Sequence, residues 1–218
     1  MSEESLTKGI CTLAGKIKPG EETSQLRLIL FDYISNVKER QNALDLFDVL
    51  KESQEITTQK VHIVYEILML MGKKKLWTEF CKDTLINIKI LYDVKKNSIC
   101  FTKFRLMMIE IGNKLTGKMV TYLKKVYGVD EEFSSEWMLL LHLEQHLHVE
   151  QDVQGSLEAF GKNLRTAICT RGAKLVEEYG KILKIFGLFK CFSLIKSYPQ
   201  LEHNSILLSW SYSRIKQL

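Results

Sequence analysis

Paired cysteines, prolines and long apolar runs are scarce in this sequence of 218 residues. The 5 cysteines are an odd number without a Cys-x-x-Cys pair, which argues against a disulfide framework and against a zinc finger. No apolar stretch reaches the roughly 20 residues that a membrane-spanning helix requires, so we expect none. The N-terminus is acidic and polar, unlike a secretory signal. We therefore expect a cytoplasmic protein with reduced thiols.

The charge is only mildly basic, at +5 with 26% charged residues. Nucleic-acid-binding domains usually carry a stronger and more clustered basic excess, whereas here acids alternate with lysines along most of the chain. The charge pattern therefore favours a solvated helical surface, and we expect no nucleic-acid partner.

Motifs that carry catalysis are missing as well. There is no GxxxxGK[ST] loop, no strand-led GxGxxG and no GxSxG elbow. Ala167 to Gly172 partly matches the caspase nucleophile motif, but it lacks the Gln and has an extra residue before Gly172. We predict that Cys169 is a buried or half-buried helix thiol, and we expect neither an enzyme nor a cofactor.

Two histidines deserve separate consideration as metal ligands. His142 and His146 are four residues apart on one helix face, a spacing that suits two zinc ligands. The metalloprotease pattern needs Glu directly after the first His, where this chain has Leu143, and no third ligand is evident. We therefore predict surface histidines beside a leucine stripe, without a metal.

Helical periodicity and scarce helix breakers predict an all-α protein, since only 2 Pro and 12 Gly are present. Six short helices are predicted near residues 4–17, 20–34, 36–41, 42–52, 57–70 and 73–80, with Thr57 and Thr58 as possible caps of the fifth. The pattern then restarts, with helices predicted over 104–112, 116–126, 136–148, 157–168 and 171–183. This predicts two similar bundles, at 1–82 and 99–183, joined by a linker at 83–98.

The last segment, 184–218, is predicted to be a tail of different character. Phenylalanines and leucines alternate there with Lys184, Lys190 and Lys196. Residues 184–196 suit a basic amphipathic helix for a membrane surface or a partner groove. We favour the alternative that the tail packs on the second bundle or is loosely ordered.

Three segments of the first bundle resemble the death effector domain family, which includes the tandem prodomains of the initiator caspases and their protease-dead FLIP-like relatives. They are similar to helices two, four and five of that family: Gln25 to Ile34, Ala43 to Glu52, and Val64 to Leu68. The second bundle resembles the second module of these proteins through Phe104 to Met107 and Leu115 to Leu123. The resemblance implies two tandem six-helix death-fold bundles, packed as a rigid pair through their apolar first and last helices.

The resemblance also implies two kinds of binding patch. One is a charge triad, an acid that opens the second helix and an Arg-x-Asp-Leu pattern that opens the sixth. Glu22 takes the acid position, and Lys73, Lys75 and Leu76 take the Arg, Asp and Leu positions. Because Lys75 replaces an acid, we expect a more basic patch that suits an acidic partner. The alternative is that these lysines only solvate a helix start.

The other patch is an apolar pair on the second helix. Leu28 and Ile29 take its positions in the first module, which predicts an apolar knob. In the second module the match places Lys125 and Val126 there, and Met119 where the acid belongs. The second module therefore departs from the family pattern, which suggests that it blocks or redirects assembly.

From this resemblance we expect a regulator of death-receptor apoptosis signalling that inhibits initiator caspase activation. Its expected partners are death effector domain proteins, namely a FADD-like adaptor and initiator procaspases, and homotypic self-assembly is a further expectation. A chain of this length leaves no room for a protease domain of about 250 residues. The alternatives are a truncated procaspase that promotes assembly and a helical scaffold that binds membranes through its tail.

Overall fold

A computed structural model describes residues 2–86, 94, 98–133, 135–151 and 153–197, with side chains up to Lys184. Across these ranges it contains ten α-helices and no strand, so the predicted all-α class is confirmed. The first half comprises α1 (Glu3–Gly15), α2 (Glu21–Ile29), α3 (Ala43–Glu52), α4 (His62–Leu70) and α5 (Lys74–Asp83), with a 3-10 turn at Val37–Glu39. The second half comprises α6 (Lys103–Gly112), α7 (Gly117–Tyr127), α8 (Glu136–Gln145), α9 (Gln154–Thr166) and α10 (Thr170–Ser197).

Local capping explains where several helices begin. The Ser2 hydroxyl accepts a hydrogen bond from the Ser5 amide at the start of α1. Asn42 and Asp45 form a reciprocal capping box that opens α3. The predicted cap of α4 was wrong, because Thr57 instead accepts from the amides of Gln59 and Lys60 in a separate turn. That turn delays the start of α4 to His62.

The same helix pairings occur in both halves. In the first half α1 packs on α3 and α5, α4 packs on α5, and α2 packs on α3. In the second half α6 packs on α8 and α10, α9 packs on α10, and α7 packs on α8. Within its own half, each of the five α-helices therefore packs on the same neighbours as its counterpart in the other half, except that α7 also contacts α9.

The two halves meet through α2, which packs against α8 and α6 of the second half. Of the first and last helices that were expected to pair, α6 takes part, whereas the contacts of α2 and α8 were not expected. α2 carries apolar residues on more than one side, with Leu26, Leu28 and Ile29 all buried. It can therefore face its own bundle and the neighbouring half at once.

The last helix runs past its predicted end. α10 spans 28 residues to Ser197, so no boundary falls at residue 184. No proline interrupts it, since the next one is Pro199. Most of the predicted linker, and the tail beyond Ser197, lie outside the described residues. Among the helices that the structure describes, none combines the length and apolarity needed to cross a membrane.

Candidate interaction surfaces

The predicted acid and base of the charge triad lie together at the start of α2 and α5. Lys73 Nζ forms an ion pair with Glu22 Oε1, and the Lys18 amide donates to Glu22 Oε2 at 2.9 Å. Burial opposes ionisation of this carboxyl, but the hydrogen bonds from Lys73 and Lys18 outweigh it and lower the pKa of Glu22. The opposite charges of Glu22 and Lys73 therefore cancel each other locally.

Lys75 does not join this pair. It is exposed. A hydrogen bond from Lys16 is the main cause that lowers the pKa of Glu79, and the charges of Lys16, Lys75 and Lys82 lower it further. Lys16 Nζ lies 2.8 Å from Glu79 Oε2. Leu76 is half-buried. The triad positions are thus divided, with Glu22 and Lys73 in one group and Lys75 beside Glu79 in another.

The predicted apolar knob of the first half was wrong. Leu28 and Ile29 are both 0% exposed. They lie on α2, which is enclosed by α3 of its own half and by α6 and α8 of the other. These side chains therefore serve as core and do not form an exposed apolar knob.

The corresponding helix of the second half, α7, is largely open to solvent. Leu123 is its one buried residue, whereas Lys125 is exposed and Val126 is 41% exposed. Met119, at the acid position, is half-buried. Lys124 Nζ lies 3.0 Å from Glu132 Oε1. α7 thus offers a mixed basic and apolar surface, free of acidic residues along its own length.

An ionic cluster centred on a buried arginine joins the two halves, and the sequence analysis did not predict it. Arg105 on α6 is 0% exposed and donates from Nη2 to Asp32 Oδ1 at 2.5 Å and to Glu144 Oε1 at 2.7 Å. Its Nη1 also donates to Glu144 Oε2 at 2.8 Å. We call Arg105, Asp32 and Glu144 the Arg105 cluster.

Burial and charge have opposing effects in the Arg105 cluster. Burial disfavours the charged guanidinium, but hydrogen bonds from Arg105 to the two carboxylates outweigh it and raise the pKa of Arg105. Burial also raises the pKa of Glu144 despite its bonds to Arg105. The signal in the sequence was one arginine within the apolar run of 104–109, since a buried charge requires a partner.

A second polar contact ties the first half to the segment before α6. The buried Glu66 carboxylate on α4 accepts from Ser98 Oγ at 2.5 Å and from the Ile99 amide at 2.8 Å. The Tyr33 hydroxyl donates to the Cys100 carbonyl oxygen at 2.5 Å. Burial and the neighbouring Glu66 raise the pKa of the Cys100 thiol to about 12, so this thiol is unreactive at neutral pH.

The histidine prediction requires one correction. His142 is buried, not on the surface, and its ring centroid lies 4.1 Å from that of His146. Burial and the charge of His146 lower the pKa of His142, although Glu131 opposes this. Within the described ranges no three His, Cys, Asp or Glu side chains group as metal ligands. Cys169 is buried, as predicted, but it directly precedes α10 instead of lying within a helix.

Comparisons with known proteins add no relative: no protein-family model matches the chain, and no curated protein matches it significantly.

Proposed function

We propose that this chain is a non-catalytic regulator of death-receptor signalling, built from two death-effector-type bundles in tandem. The observation that carries the proposal is the recurrence of the same helix pairings in both halves. A duplicated helical bundle that works through its surfaces fits this arrangement. The ion pair of Glu22 with Lys73, at the positions that the family uses for its charged patch, supports the same reading.

The proposed partners are a FADD-like adaptor and initiator procaspases, with self-association as a further possibility within the same mechanism. Death-effector assembly places one face of a module on a different face of the next, a heterologous contact that can propagate into chains. This chain offers the Glu22–Lys73 ion pair, the separate exposed Lys75, and a basic, apolar face on α7. The apolar pair of the first half, Leu28 and Ile29, is buried inside the molecule.

An inhibitory effect follows from this asymmetry. A module that binds a growing assembly through one face, and whose second binding face is buried, terminates the assembly because no further module can bind to it. Procaspases are then held too far apart to activate one another. The alternative function is that of a procaspase-like prodomain that extends the assembly and promotes caspase activation. In that case α7 would supply the second binding face.

The experiment is a pull-down of the full chain with purified adaptor death effector domain and with an initiator caspase prodomain. Glu22→Lys should abolish binding through the charged face because it places two cations together. The double variant Glu22→Lys with Lys73→Glu restores the pair with reversed polarity, so it keeps the local fold and serves as the matched control. Leu28→Gly is unsuitable as a binding control because that side chain is buried.

Three outcomes are informative. Binding that Glu22→Lys abolishes supports the proposal and assigns the charged face. Binding that only Lys125→Glu abolishes keeps the proposal but transfers the contact to α7. Binding to neither partner by the intact chain would overturn the proposal.

A further inference from the structure

A buried histidine lies on a helix through which the two halves meet. His142 on α8 is 7% exposed, and α8 packs on α2 of the first half. The Nδ1 atom of His142 is buried and makes no hydrogen bond to any described residue. A neutral imidazole can leave one ring nitrogen without a proton, whereas an imidazolium must donate from both. The surroundings of Nδ1 therefore suit the neutral ring.

One acid and two further histidines lie around this ring. Glu131 Oε2 is 3.4 Å from His142 Nδ1, but the Glu131 side chain is 63% exposed, so water weakens its attraction for a charged ring. His146 follows four residues later on α8, and the centroids of the two rings are 4.1 Å apart. Charges on His146 and His148 both disfavour a charge on His142. Like charge therefore opposes protonation of His142 from within its own half.

The first half contributes a cation to the same place. Lys38 lies half-buried on the Val37–Glu39 turn, and its charge also disfavours a charge on His142. Glu131 attracts both side chains, because its charge acts on Lys38 as well. When His142 is protonated, one exposed carboxylate thus serves two positive groups from opposite halves.

Charged residues on the other helices that pack on α8 have partners of their own. Arg105 of α6 donates to Glu144 at 2.7 Å, and Lys124 of α7 lies 3.0 Å from Glu132. Arg27 of α2 donates to a backbone carbonyl oxygen at 2.5 Å. Compensation for a charge on His142 therefore depends on Glu131.

We propose that protonation of His142 weakens the contact between α8 and the Val37–Glu39 turn, so that the packing of the two halves is sensitive to pH. A buried imidazolium would lie beside Lys38 and His146 with one exposed carboxylate as its acceptor. Histidine is the side chain whose ordinary titration falls in the range of about pH 5 to 8. This inference needs no partner protein, so it stands or fails independently of the proposed function.

The direction of the pH effect follows from the pKa of His142. Burial is the largest cause that lowers this pKa, and the charge of His146 lowers it further. Lys38 and His148 act in the same direction, whereas Glu131 opposes them. The unfolded chain therefore binds a proton at this position more readily than the folded chain. Full stability is present above the ordinary histidine pKa, and it is lost as pH falls below that value toward the lowered folded value.

The first test follows the histidine ring protons of the full chain by NMR over the range of about pH 8 to 5. Lys38→Met removes a cation of the first half and should raise the titration midpoint of His142. Glu131→Gln removes the nearby acid and should lower that midpoint. His62, exposed at the start of α4, is the internal reference and should keep its midpoint in both variants.

A second measurement tests whether protonation weakens the contact. The urea midpoint of the wild type should fall between about pH 7.5 and about pH 5.5, and that of His142→Phe should fall by less because its ring cannot be protonated. His62→Gln is the control at an exposed histidine and should follow the wild type. Hydrogen exchange at the lower pH, corrected for the intrinsic rate, should increase in α8 and in the Val37–Glu39 turn.

Two results would overturn the inference. An unchanged His142 midpoint in Lys38→Met would show that the first half does not act on this ring. Equal losses of stability in acid for the wild type and His142→Phe would show that protonation of His142 is not their cause. If His142→Phe overpacks the core, His142→Leu provides the same comparison, since leucine also carries no titratable group.

Discussion

The second helices of the two halves occupy corresponding places and lie in opposite environments. Six of the nine residues of α2 are buried, whereas one of the eleven residues of α7 is. The difference comes from the junction, because α2 packs on α8 and α6 while α7 packs on α8 and α9 of its own half. Corresponding positions in the two halves therefore do not decide whether a helix is buried or open to solvent.

The largest expected effect tests the ionic side of this comparison. Arg105→Met leaves the largely buried Glu144 and the partly exposed Asp32 without their cation, and should lower the free energy of unfolding by about 3–5 kcal/mol. The matched change near α7 is Lys124→Met, which breaks an ion pair whose acid, Glu132, is exposed and should cost under about 1 kcal/mol. Urea unfolding of both variants measures the difference, and equal losses would contradict it.

The apolar side of the comparison should give a somewhat smaller effect. Ile29→Ala removes a fully buried side chain on α2 and should cost about 2–4 kcal/mol through lost burial and the cavity left behind. Val126→Ala, its counterpart on α7, should change stability by no more than about 0.5 kcal/mol. Thermal unfolding of the two variants checks this, and a large loss from Val126→Ala would mean that α7 is packed in solution.

The surface pair at the start of α2 should contribute least to stability, with a defined pH dependence. The folded-state pKa of Glu22 is lowered, so its contribution of about 0.5 kcal/mol is present above the ordinary carboxyl pKa and is lost as pH falls through the folded value. Unfolding midpoints of the wild type and Glu22→Gln should differ near neutral pH and converge in acid. A difference that grows in acid would contradict the assignment.

On α7 the expected effect is on binding alone. Lys125→Glu reverses an exposed charge and should leave the unfolding midpoint unchanged within error. If α7 is a binding face for an acidic partner, the same change should slow association with that partner, most clearly at low salt. Unchanged association at every salt concentration would remove α7 from the binding surface.

Local features of the fold were predictable from sequence, and contacts between the halves were not. Helical periodicity located most helices within a few residues. The resemblance placed Glu22 and Lys73, 51 residues apart in sequence, in one patch, and the two form an ion pair. Leu28 and Ile29 were misassigned because an apolar pair has the same sequence pattern on an exposed surface as in a core. The partners of Arg105 lie 73 and 39 residues away, and no local pattern specifies them.

The end of α10 was also not predictable from the sequence. Its first turns were predicted correctly, but nothing in the periodicity of 171–183 indicates where the helix stops, since helix ends depend on caps and breakers. The structure carries it to Ser197, two residues before Pro199. The predicted boundary at residue 184 marked a change in composition rather than a change in structure.

The most direct test of the central claim is a titration of the intact chain into a reconstituted mixture of adaptor and initiator procaspase, with caspase activity as the readout. We predict that activity falls as the chain is added and that Glu22→Lys restores it. The double variant Glu22→Lys with Lys73→Glu serves as the folding control. Activity that rises, or that stays unchanged at saturating chain, would contradict the claim that this protein restrains caspase activation.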